Sequence, residues 1–186
     1  MRKESVELTK QRIRSKILSV LRSHKEEDRK RKSRIIKTRL FRTRIFKKAK
    51  IVMFYISFGG EVKTEQMIKE AKKLGKIIAV PICKHYRIIK PCVLTDKAKL
   101  KKGPYGISEP AVQNFIDIKN LDLVIVPGLA FDKKGNRLGR GKGCYDYFLK
   151  KLPNKIPSIG LAYNFQILPS IPTTKTDISV DNVIYA

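Results

Sequence analysis

A strand, a helix and a second strand follow one another directly in the first half of the chain, and this unit constrains the fold most. The segment Ile51 to Phe58 is apolar or aromatic at every position but one, which predicts a buried strand. Apolar residues recur at helical spacing from Thr64 to Leu74, and Lys76 to Ile82 predicts the next strand. Such a unit joins parallel strands by a right-handed crossover, so the chain is predicted to be an α/β protein.

Further elements on either side complete the predicted fold. Leu121 to Val126 is another short apolar run, and Tyr86 to Val93 has the composition of a strand. The glycines and prolines of Lys101 to Ala111 predict an irregular surface loop. We expect a single domain over residues 1–186, with a mostly parallel central sheet flanked by helices in a Rossmann-like three-layer arrangement. The other predicted elements are helices over 5–23, 26–47 and 145–152, a Gly-rich loop over 127–143, and strands over 158–162 and 180–185.

The charge of the chain suggests an alternative function. Lys and Arg number 42 against 16 Asp and Glu, which gives a formal charge of +26. So basic a surface attracts polyanions, and a basic RNA-binding protein is therefore one alternative. No zinc-finger spacing, recognition-helix pattern or aromatic RNA-binding segment accompanies the charge, so nucleic acid is not the partner that we expect.

Other residue types limit the location and the chemistry. No apolar run is long enough to span a membrane, and the start of the chain lacks the apolar core of a secretory signal, so we expect a soluble cytoplasmic protein. Cys83, Cys92 and Cys144 lack the paired spacing of a zinc site and do not indicate disulfides. Neither His24 nor His85 belongs to a sequence pattern that would suggest a hydrolytic triad.

The segment with the clearest chemical meaning is the end of the Gly-rich loop. Gly139, Gly141 and Gly143 alternate there with Arg140 and Lys142. Glycines let backbone N–H groups approach an anion, the following helix presents its positive N-terminus, and the two cations add charge-assisted hydrogen bonds. The spacing matches neither a Walker A loop nor a dinucleotide-binding fingerprint, so the residues alone indicate only an anion site. A loop that merely turns the chain from strand to helix is the alternative.

The segment PGLAFDKKGNRLGRGKGCYD, residues 127–146, resembles the signature of 5-formyltetrahydrofolate cyclo-ligases. Three further features follow the order of that family: Lys10 and Arg14 in the first helix, FYISFGGEVKT at 54–64, and TDISVDNVIYA at 176–186. The resemblance covers essentially the whole chain. It implies ATP- and magnesium-dependent conversion of 5-formyltetrahydrofolate to 5,10-methenyltetrahydrofolate, with ADP and phosphate released through a phosphorylated formyl (iminium phosphate) intermediate. Another nucleotide-dependent transferase on a similar sheet is a second alternative.

The resemblance also implies roles for individual residues. Arg140 and Lys142 are expected to act in catalysis, and Asp146 and Asp177 would hold Mg²⁺, whose preferred ligands are carboxylate and phosphate oxygens. The implied ATP-binding residues are Lys10, Arg14, Arg137, Leu138, Gly139, Arg140, Gly141, Lys142, Gly143, Cys144 and Tyr145. The implied folate-binding residues are Ile56, Glu61, Arg140, Gly141, Lys142, Gly143 and Cys144.

Several points stay open in the sequence. Asp132 and Asp181 are acidic neighbours that rank lower as magnesium ligands. Cys144 stands where many relatives have tyrosine, which predicts one missing ring contact but no catalytic thiol. The sequence does not distinguish a folate with one glutamate from a polyglutamylated one. We expect a monomer whose partners are ATP and 5-formyltetrahydrofolate, with no membrane association.

Overall fold

The computed structural model describes residues 5–84, 87–96, 98–103, 106 and 108–186. The helices are α1 (Val6–Ser23), α2 (Glu26–Arg42), α3 (Arg44–Lys48), α4 (Glu65–Lys73) and α5 (Cys144–Lys151). The strands are β1 (Ile51–Met53), β2 (Ile77–Lys84), β3 (Ile88–Val93), β4 (Leu100–Lys102), β5 (Ser108–Pro110), β6 (Leu123–Val126), β7 (Ala130–Asp132), β8 (Arg137–Leu138), β9 (Ser158–Ala162), β10 (Ile167–Leu168) and β11 (Asn182–Tyr185). Within these residues, no helix is both long and apolar enough to cross a bilayer.

The central sheet has six strands in the order β11-β9-β6-β1-β2-β3. All neighbours are parallel except β3, which pairs antiparallel with β2 at one edge. The mostly parallel sheet and the β1-α4-β2 crossover are therefore confirmed. The chain runs from β1 outward to β3 and then returns to β6 on the other side of β1. Such a reversal opens a crevice at the carboxyl ends of the central strands, where ligands bind in sheets of this kind.

Helices cover both faces of the sheet. Val52 and Ile125 face one side, where they pack with buried residues of α1 to α4. Met53 and Val124 face the other side, where Phe148 of α5 joins them. Reversing the direction of winding at β1 places successive right-handed crossovers on opposite faces, which explains this division. The predicted three-layer arrangement in a single domain is confirmed.

The predicted N-terminal helices are confirmed except at one end. α1 begins after Ser5, whose Oγ accepts a hydrogen bond from the Leu8 amide at 3.3 Å. The single helix predicted over 26–47 is wrong beyond Arg42, because Thr43 adopts an extended conformation. Thr43 Oγ1 donates to the Leu40 carbonyl at 2.7 Å and accepts from the Phe46 amide at 3.1 Å. One hydroxyl thus ends α2 and caps α3.

The strand predicted over 51–58 is too long. β1 stops at Met53, although the Phe54 amide still donates to the Ala79 carbonyl at 2.9 Å. Beyond this point a side chain replaces the neighbouring strand, since Thr64 Oγ1 donates to the Tyr55 carbonyl at 2.6 Å and accepts from the Ser57 amide at 3.2 Å. The chain therefore leaves the sheet and turns over its carboxyl edge.

Two segments that we predicted as irregular contain short hairpins. In the segment 101–111, β4 pairs antiparallel with β5, and residues 104, 105 and 107 lie outside the described part. The buried Glu109 accepts a hydrogen bond from the Cys83 amide at 3.0 Å, which attaches this hairpin to β2. In the loop 127–143, β7 pairs with β8 and with β10. The strand predicted over 86–93 is confirmed from Ile88 onward, and Tyr86 lies outside the described residues.

His24 makes the stability of this packing dependent on pH. Its ring lies edge-on to Tyr163 and Phe165, at centroid distances of 4.7 and 5.2 Å, and among the described residues neither ring nitrogen has a hydrogen-bond partner. Burial, together with the charge of Lys32, lowers the pKa of His24 below its ordinary value of 6.5. The unfolded chain therefore binds a proton at a higher pH than the folded chain does.

We expect the free energy of unfolding to fall as the pH drops below about 6.5, because protonation of His24 then favours the unfolded state. His24→Leu should remove this part of the pH dependence. Urea unfolding at about pH 7.5 and about pH 5.5 measures it in both proteins. An equal loss of stability in the wild type and the variant would show that His24 is not responsible.

Candidate active site

A cleft of about 680 Å³ opens at the carboxyl edge of β1, β2 and β6. It lies at the reversal of strand order, where the topology predicts a ligand site. Every residue to which the sequence assigned a role lines this cleft. These residues are Lys10, Arg14, Ile56, Glu61, Arg137, Leu138, Gly139, Arg140, Gly141, Lys142, Gly143, Cys144, Tyr145, Asp146 and Asp177.

Helix α1 contributes two cations to the cleft from successive turns. Lys10 is only 3% exposed, and its Nζ lies 2.5 Å from Oδ2 of Asp177. Burial raises the pKa of Asp177, but hydrogen bonds from Lys10 and Thr174 outweigh this effect and keep the pKa below its usual range. Arg14 donates from Nε to the Gly139 carbonyl at 3.1 Å. Both cations are thus fixed beside the Gly-rich loop.

The Gly-rich loop ends at the N-terminus of α5. Gly143 is the N-cap residue and has a φ of +69°, a left-handed conformation that residues with a Cβ rarely adopt. Its position leaves the first amides of α5 directed toward the cleft without a side-chain cap. Lys142 is exposed beside this helix end. The arrangement has the N–H donors, the helix dipole and the cation that an anion site requires.

Arg137 and Asp146 form a second ion pair in the cleft wall. Arg137 is 5% exposed, and its Nη2 donates to Oδ1 of Asp146 at 2.9 Å. The Ile178 amide donates to the same oxygen at 3.3 Å, which joins α5 to the C-terminal segment that carries Asp177. The guanidinium also lies over the ring of Tyr145, 5.7 Å from its centroid. Its Nε has no hydrogen-bond partner in the described part of the chain.

Glu61 and Arg140 face each other across the cleft. Nε and Nη2 of Arg140 each lie 3.4 Å from Oε1 of Glu61, and Nη2 lies 3.3 Å from the Phe58 carbonyl. Burial raises the pKa of Glu61, although Arg140 and the Phe58 amide oppose the shift. Both contacts of Arg140 with this carboxylate are long, so the guanidinium can turn toward a stronger anion without leaving the cleft.

Asp146 and Asp177 could bind Mg²⁺ only together with phosphate oxygens. In the parts of the chain that the structure describes, no three acidic, histidine or cysteine side chains form a metal cluster. Both residues line the cleft. Within the described residues, Asp146 accepts hydrogen bonds through Oδ1 and Asp177 accepts them through Oδ2. Proteins usually bind Mg²⁺ through one or two carboxylates, and phosphate oxygens and water complete the coordination. The two aspartates therefore fit a Mg²⁺ ion that is bound together with a nucleotide.

Asp132 and Asp181, the two lower-ranked candidates, have structural tasks. Asp132 is 2% exposed and accepts hydrogen bonds from the amides of Lys134, Asn136 and Ile171 at 2.9–3.0 Å. Asp181 Oδ2 accepts from both the amide and the hydroxyl of Ser158 at 2.7 Å. Neither residue lines the cleft.

Comparison with known proteins places the chain in a family. A sequence model of the 5-formyltetrahydrofolate cyclo-ligase family matches residues 6–186. The chain is 33% identical to the 5-formyltetrahydrofolate cyclo-ligase of Mus musculus, over 97% of this chain and 95% of that protein. Its identity to the protein of the same name from Haemophilus influenzae is 37%, over 74% of this chain and 76% of the relative.

A solved structure agrees with the sequence comparison. The NMR structure of Aquifex aeolicus 5,10-methenyltetrahydrofolate synthetase has a TM-score of 0.84 and 34% identity, covering 95% of this chain and 89% of that one. The chain belongs to the 5-formyltetrahydrofolate cyclo-ligase family. The resemblance predicted from its motifs is confirmed, and the cyclo-ligase is favoured over a non-catalytic RNA-binding protein and over another nucleotide-dependent transferase.

Two residues outside the cleft support Glu61, and no sequence motif identified them. Tyr163 lies outside the quoted motifs, yet its hydroxyl donates to the Glu61 carbonyl at 3.2 Å and lies 3.3 Å from Ser33 Oγ. Ser33 Oγ in turn accepts from the Lys63 amide at 3.0 Å. Tyr163 and Ser33 therefore hold the segment that carries Glu61. Only the fold brings α2 and the residue after β9 to this segment, so no local sequence signal could identify them.

The thiol of Cys144 lies beside a second thiol in the same cleft. Burial raises the pKa of Cys83 to about 11, and its hydrogen-bonding contact with Cys144 adds to the shift. Burial also raises the pKa of Cys144, although Arg87 opposes it. Since the thiolate is the reactive form, both groups are poor nucleophiles at neutral pH. This supports the expectation that the cysteine does not act as a catalytic thiol in this cyclo-ligase.

Proposed function

We propose that this chain converts 5-formyltetrahydrofolate to 5,10-methenyltetrahydrofolate in a reaction driven by transfer of the γ-phosphoryl group of ATP. The observation that carries the proposal is the gathering of seven cations, the Gly-rich loop and the mostly buried Glu61 in one cleft of a cyclo-ligase fold. These cations are Lys10, Arg14, Arg87, Arg137, Arg140, Lys142 and Lys150. The cations and the helix N-terminus suit a triphosphate, and the glutamate suits the donor groups of a pterin.

The chemistry begins with activation of a poor leaving group. The formyl oxygen on N5 attacks the γ-phosphorus of ATP, the bond from this phosphorus to the bridging oxygen breaks, and ADP leaves. The product is an iminium phosphate whose carbon is electrophilic. N10 of the folate then donates its lone pair to this carbon and loses its proton, and cleavage of the carbon–oxygen bond releases inorganic phosphate. The five-membered methenyl ring remains.

The protein has to align the reactants and stabilise charge during this sequence. Arg140 and Lys142 would contact the transferring phosphoryl group, since charge spreads over its oxygens in the transition state. Lys10 and Arg14 would hold the rest of the triphosphate from α1. Fixing the formyl oxygen opposite the γ-phosphorus supplies most of the remaining rate enhancement, because a bimolecular encounter becomes a step within one complex.

We assign Mg²⁺ to Asp146 and Asp177, with the remaining positions filled by phosphate oxygens and water. When bound, the ion would neutralise the charge of the phosphate groups and hold them in one geometry. Arg137 and Lys10 now pair with these two carboxylates. Both cations would stay beside the phosphates once the ion is bound.

The folate would lie between β1 and the Gly-rich loop. Glu61 would accept hydrogen bonds from the amino group and ring N–H of the pterin, and Ile56 would pack against the ring. The glutamate tail would reach the cleft mouth, where the exposed Lys150 favours a polyglutamylated substrate. We also propose that the enzyme is cytoplasmic and monomeric.

Isotope transfer tests the proposed reaction. 5-Formyltetrahydrofolate labelled with ¹⁸O in the formyl group is incubated with the enzyme, magnesium and ATP, and the released phosphate is analysed by mass spectrometry. We expect one labelled oxygen in each phosphate, because the formyl oxygen leaves bonded to phosphorus. Unlabelled phosphate together with product formation would mean that ATP is cleaved by water and would exclude the iminium phosphate.

Replacement of Cys144 by serine tests whether the thiol takes part. Serine keeps the size of the side chain and removes the sulfur, so we expect kcat to stay within about twofold of the wild type. Steady-state turnover at saturating folate and ATP measures the effect, with Cys92→Ser as the control for a thiol outside the cleft. A loss comparable to that of a catalytic cation would contradict the assignment.

A further inference from the structure

A second cavity of about 310 Å³ lies behind the turn formed by residues 58–60, separate from the cleft. Leu18 and Leu21 of α1 form its apolar wall. Three arginines also line it: Arg22 from the last turn of α1, Arg29 from α2, and Arg140 from the Gly-rich loop. Only Arg140 among these three has a role in the proposed reaction.

The arginines of this cavity are incompletely neutralised. Nη2 of Arg29 lies 2.5 Å from Glu26, but the same carboxylate also contacts Lys30 and Lys63. One carboxylate thus serves three cations, and an oxyanion in the cavity would add negative charge beside Arg29.

We propose that this cavity is an oxyanion site, for a phosphate or a carboxylate, that communicates with the cleft through Arg140. A planar guanidinium group can bind a phosphate or a carboxylate with two parallel hydrogen bonds. Three arginines line this one cavity, so several such bonds to a single anion are available. The apolar wall also favours anion binding, because it lowers the local dielectric constant and so strengthens each contact between opposite charges.

Arg140 provides the coupling because it lines both cavities. Its bonds to Glu61 at 3.4 Å are long, so an anion behind the turn competes with Glu61 for the same guanidinium. Glu61 would then lose its cation. Because Glu61 is the proposed pterin acceptor, this part of the inference rests on the proposed function, whereas anion binding itself does not.

Binding is tested first with inorganic phosphate alone, in the absence of nucleotide and folate and at constant ionic strength. The ¹H–¹⁵N signal of the Arg29 side chain should shift during the titration, since its guanidinium gains an anionic neighbour. Calorimetry should show a site that becomes at least tenfold weaker in Arg22→Gln/Arg29→Gln. The control Arg34→Gln/Arg42→Gln removes the same charge from exposed positions of α2 and should bind as the wild type does.

Parallel titrations distinguish the two sources of the anion. A γ-linked triglutamate replaces phosphate in the second arm, and a preference for either ligand identifies the source. Coupling is measured as the affinity for 5-formyltetrahydrofolate with and without the anion, for which we expect about fivefold weakening in the wild type and none in the double variant. The single variant Arg22→Gln, at an exposed position, repeats the test if the double variant does not fold.

Equal anion affinity in the wild type and in folded Arg22→Gln/Arg29→Gln, or an Arg29 signal that does not move, would overturn the site. Normal anion binding without any effect on folate affinity would overturn the coupling alone. Failure of the enzyme to bind 5-formyltetrahydrofolate at all would contradict the proposed function and leave the phosphate result intact. The two proposals therefore fail separately.

Discussion

Replacement of Arg140 by alanine is expected to lower kcat about 100-fold, as loss of one preorganised transition-state donor does in other enzymes. The guanidinium lies at the end of the Gly-rich loop and faces Glu61 across the cleft. Its removal would leave the developing phosphoryl charge with one cation fewer. Steady-state kinetics with saturating ATP and folate measures the loss, and Arg34→Ala on the exposed face of α2 is the matched control.

Two further measurements identify how Arg140 acts. Without this cation the pKa of Glu61, already raised by burial, would rise further, so the acidic limb of kcat/KM should move to higher pH. If Arg140 served only to neutralise Glu61, then removal of Arg140 from Glu61→Gln would not lower kcat any further. We expect kcat of the double variant to fall well below that of Glu61→Gln. Turnover of Arg140→Ala close to the wild-type rate would remove Arg140 from the catalytic group.

Replacement of Gly135 by alanine is expected to destabilise the fold by about 3 kcal/mol, the range of a severe backbone collision. Gly135 has a φ of +83°, and a Cβ at this position would lie 2.1 Å from the Val180 carbonyl oxygen. Backbone atoms cannot move aside as a flexible side chain can. The Val180 amide also donates to the Gly135 carbonyl at 2.9 Å, so the collision breaks a bond between the two segments.

Gly75 provides the matched control for this substitution. It has a φ of +77°, but no atom lies within 4 Å of the position that a Cβ would occupy. Gly75→Ala should therefore cost only the conformational strain of about 1 kcal/mol. Urea unfolding of both variants measures the difference. Equal destabilisation would show that contact with Val180 contributes nothing beyond strain.

Gly135 also links stability to the site. It lies between β7 and β8, two residues before Arg137, while Val180 follows the segment of Asp177 and Ile178. Displacement of the two segments would separate Arg137 and Asp146 from the amide of Ile178. We therefore expect weaker ATP binding in Gly135→Ala even at temperatures where the variant is folded.

The sequence predicted those elements that depend on local patterns. The apolar run of β1, the periodicity of α4 and the strand that follows are properties of neighbouring residues, and the structure confirms the crossover they form. The break at Thr43 and the early end of β1 depend on hydroxyl groups that bond to distant or unexpected backbone atoms. Side-chain polarity gives no sign of such partners before the fold is known.

The candidate site divides in the same way. The alternation of glycines with Arg140 and Lys142 indicates an anion site without any knowledge of relatives. Lys10, Ile56 and Asp177 are ordinary residues in their local context, and only the resemblance to a family brought them into the site. The pairing of Lys10 with Asp177 joins residues near opposite ends of the chain. Neither the local pattern nor the family resemblance identified Tyr163, which bonds to the backbone of Glu61.

The most direct test of the proposed function follows 5,10-methenyltetrahydrofolate by its near-ultraviolet absorbance. The protein is mixed with 5-formyltetrahydrofolate, magnesium and ATP, and an identical mixture omits ATP. We predict a rise in absorbance that requires ATP and that is accompanied by one ADP for each product molecule. No rise with folded protein and magnesium present would contradict the cyclo-ligase assignment, and salt-dependent RNA binding by the same sample would then support the RNA-binding alternative.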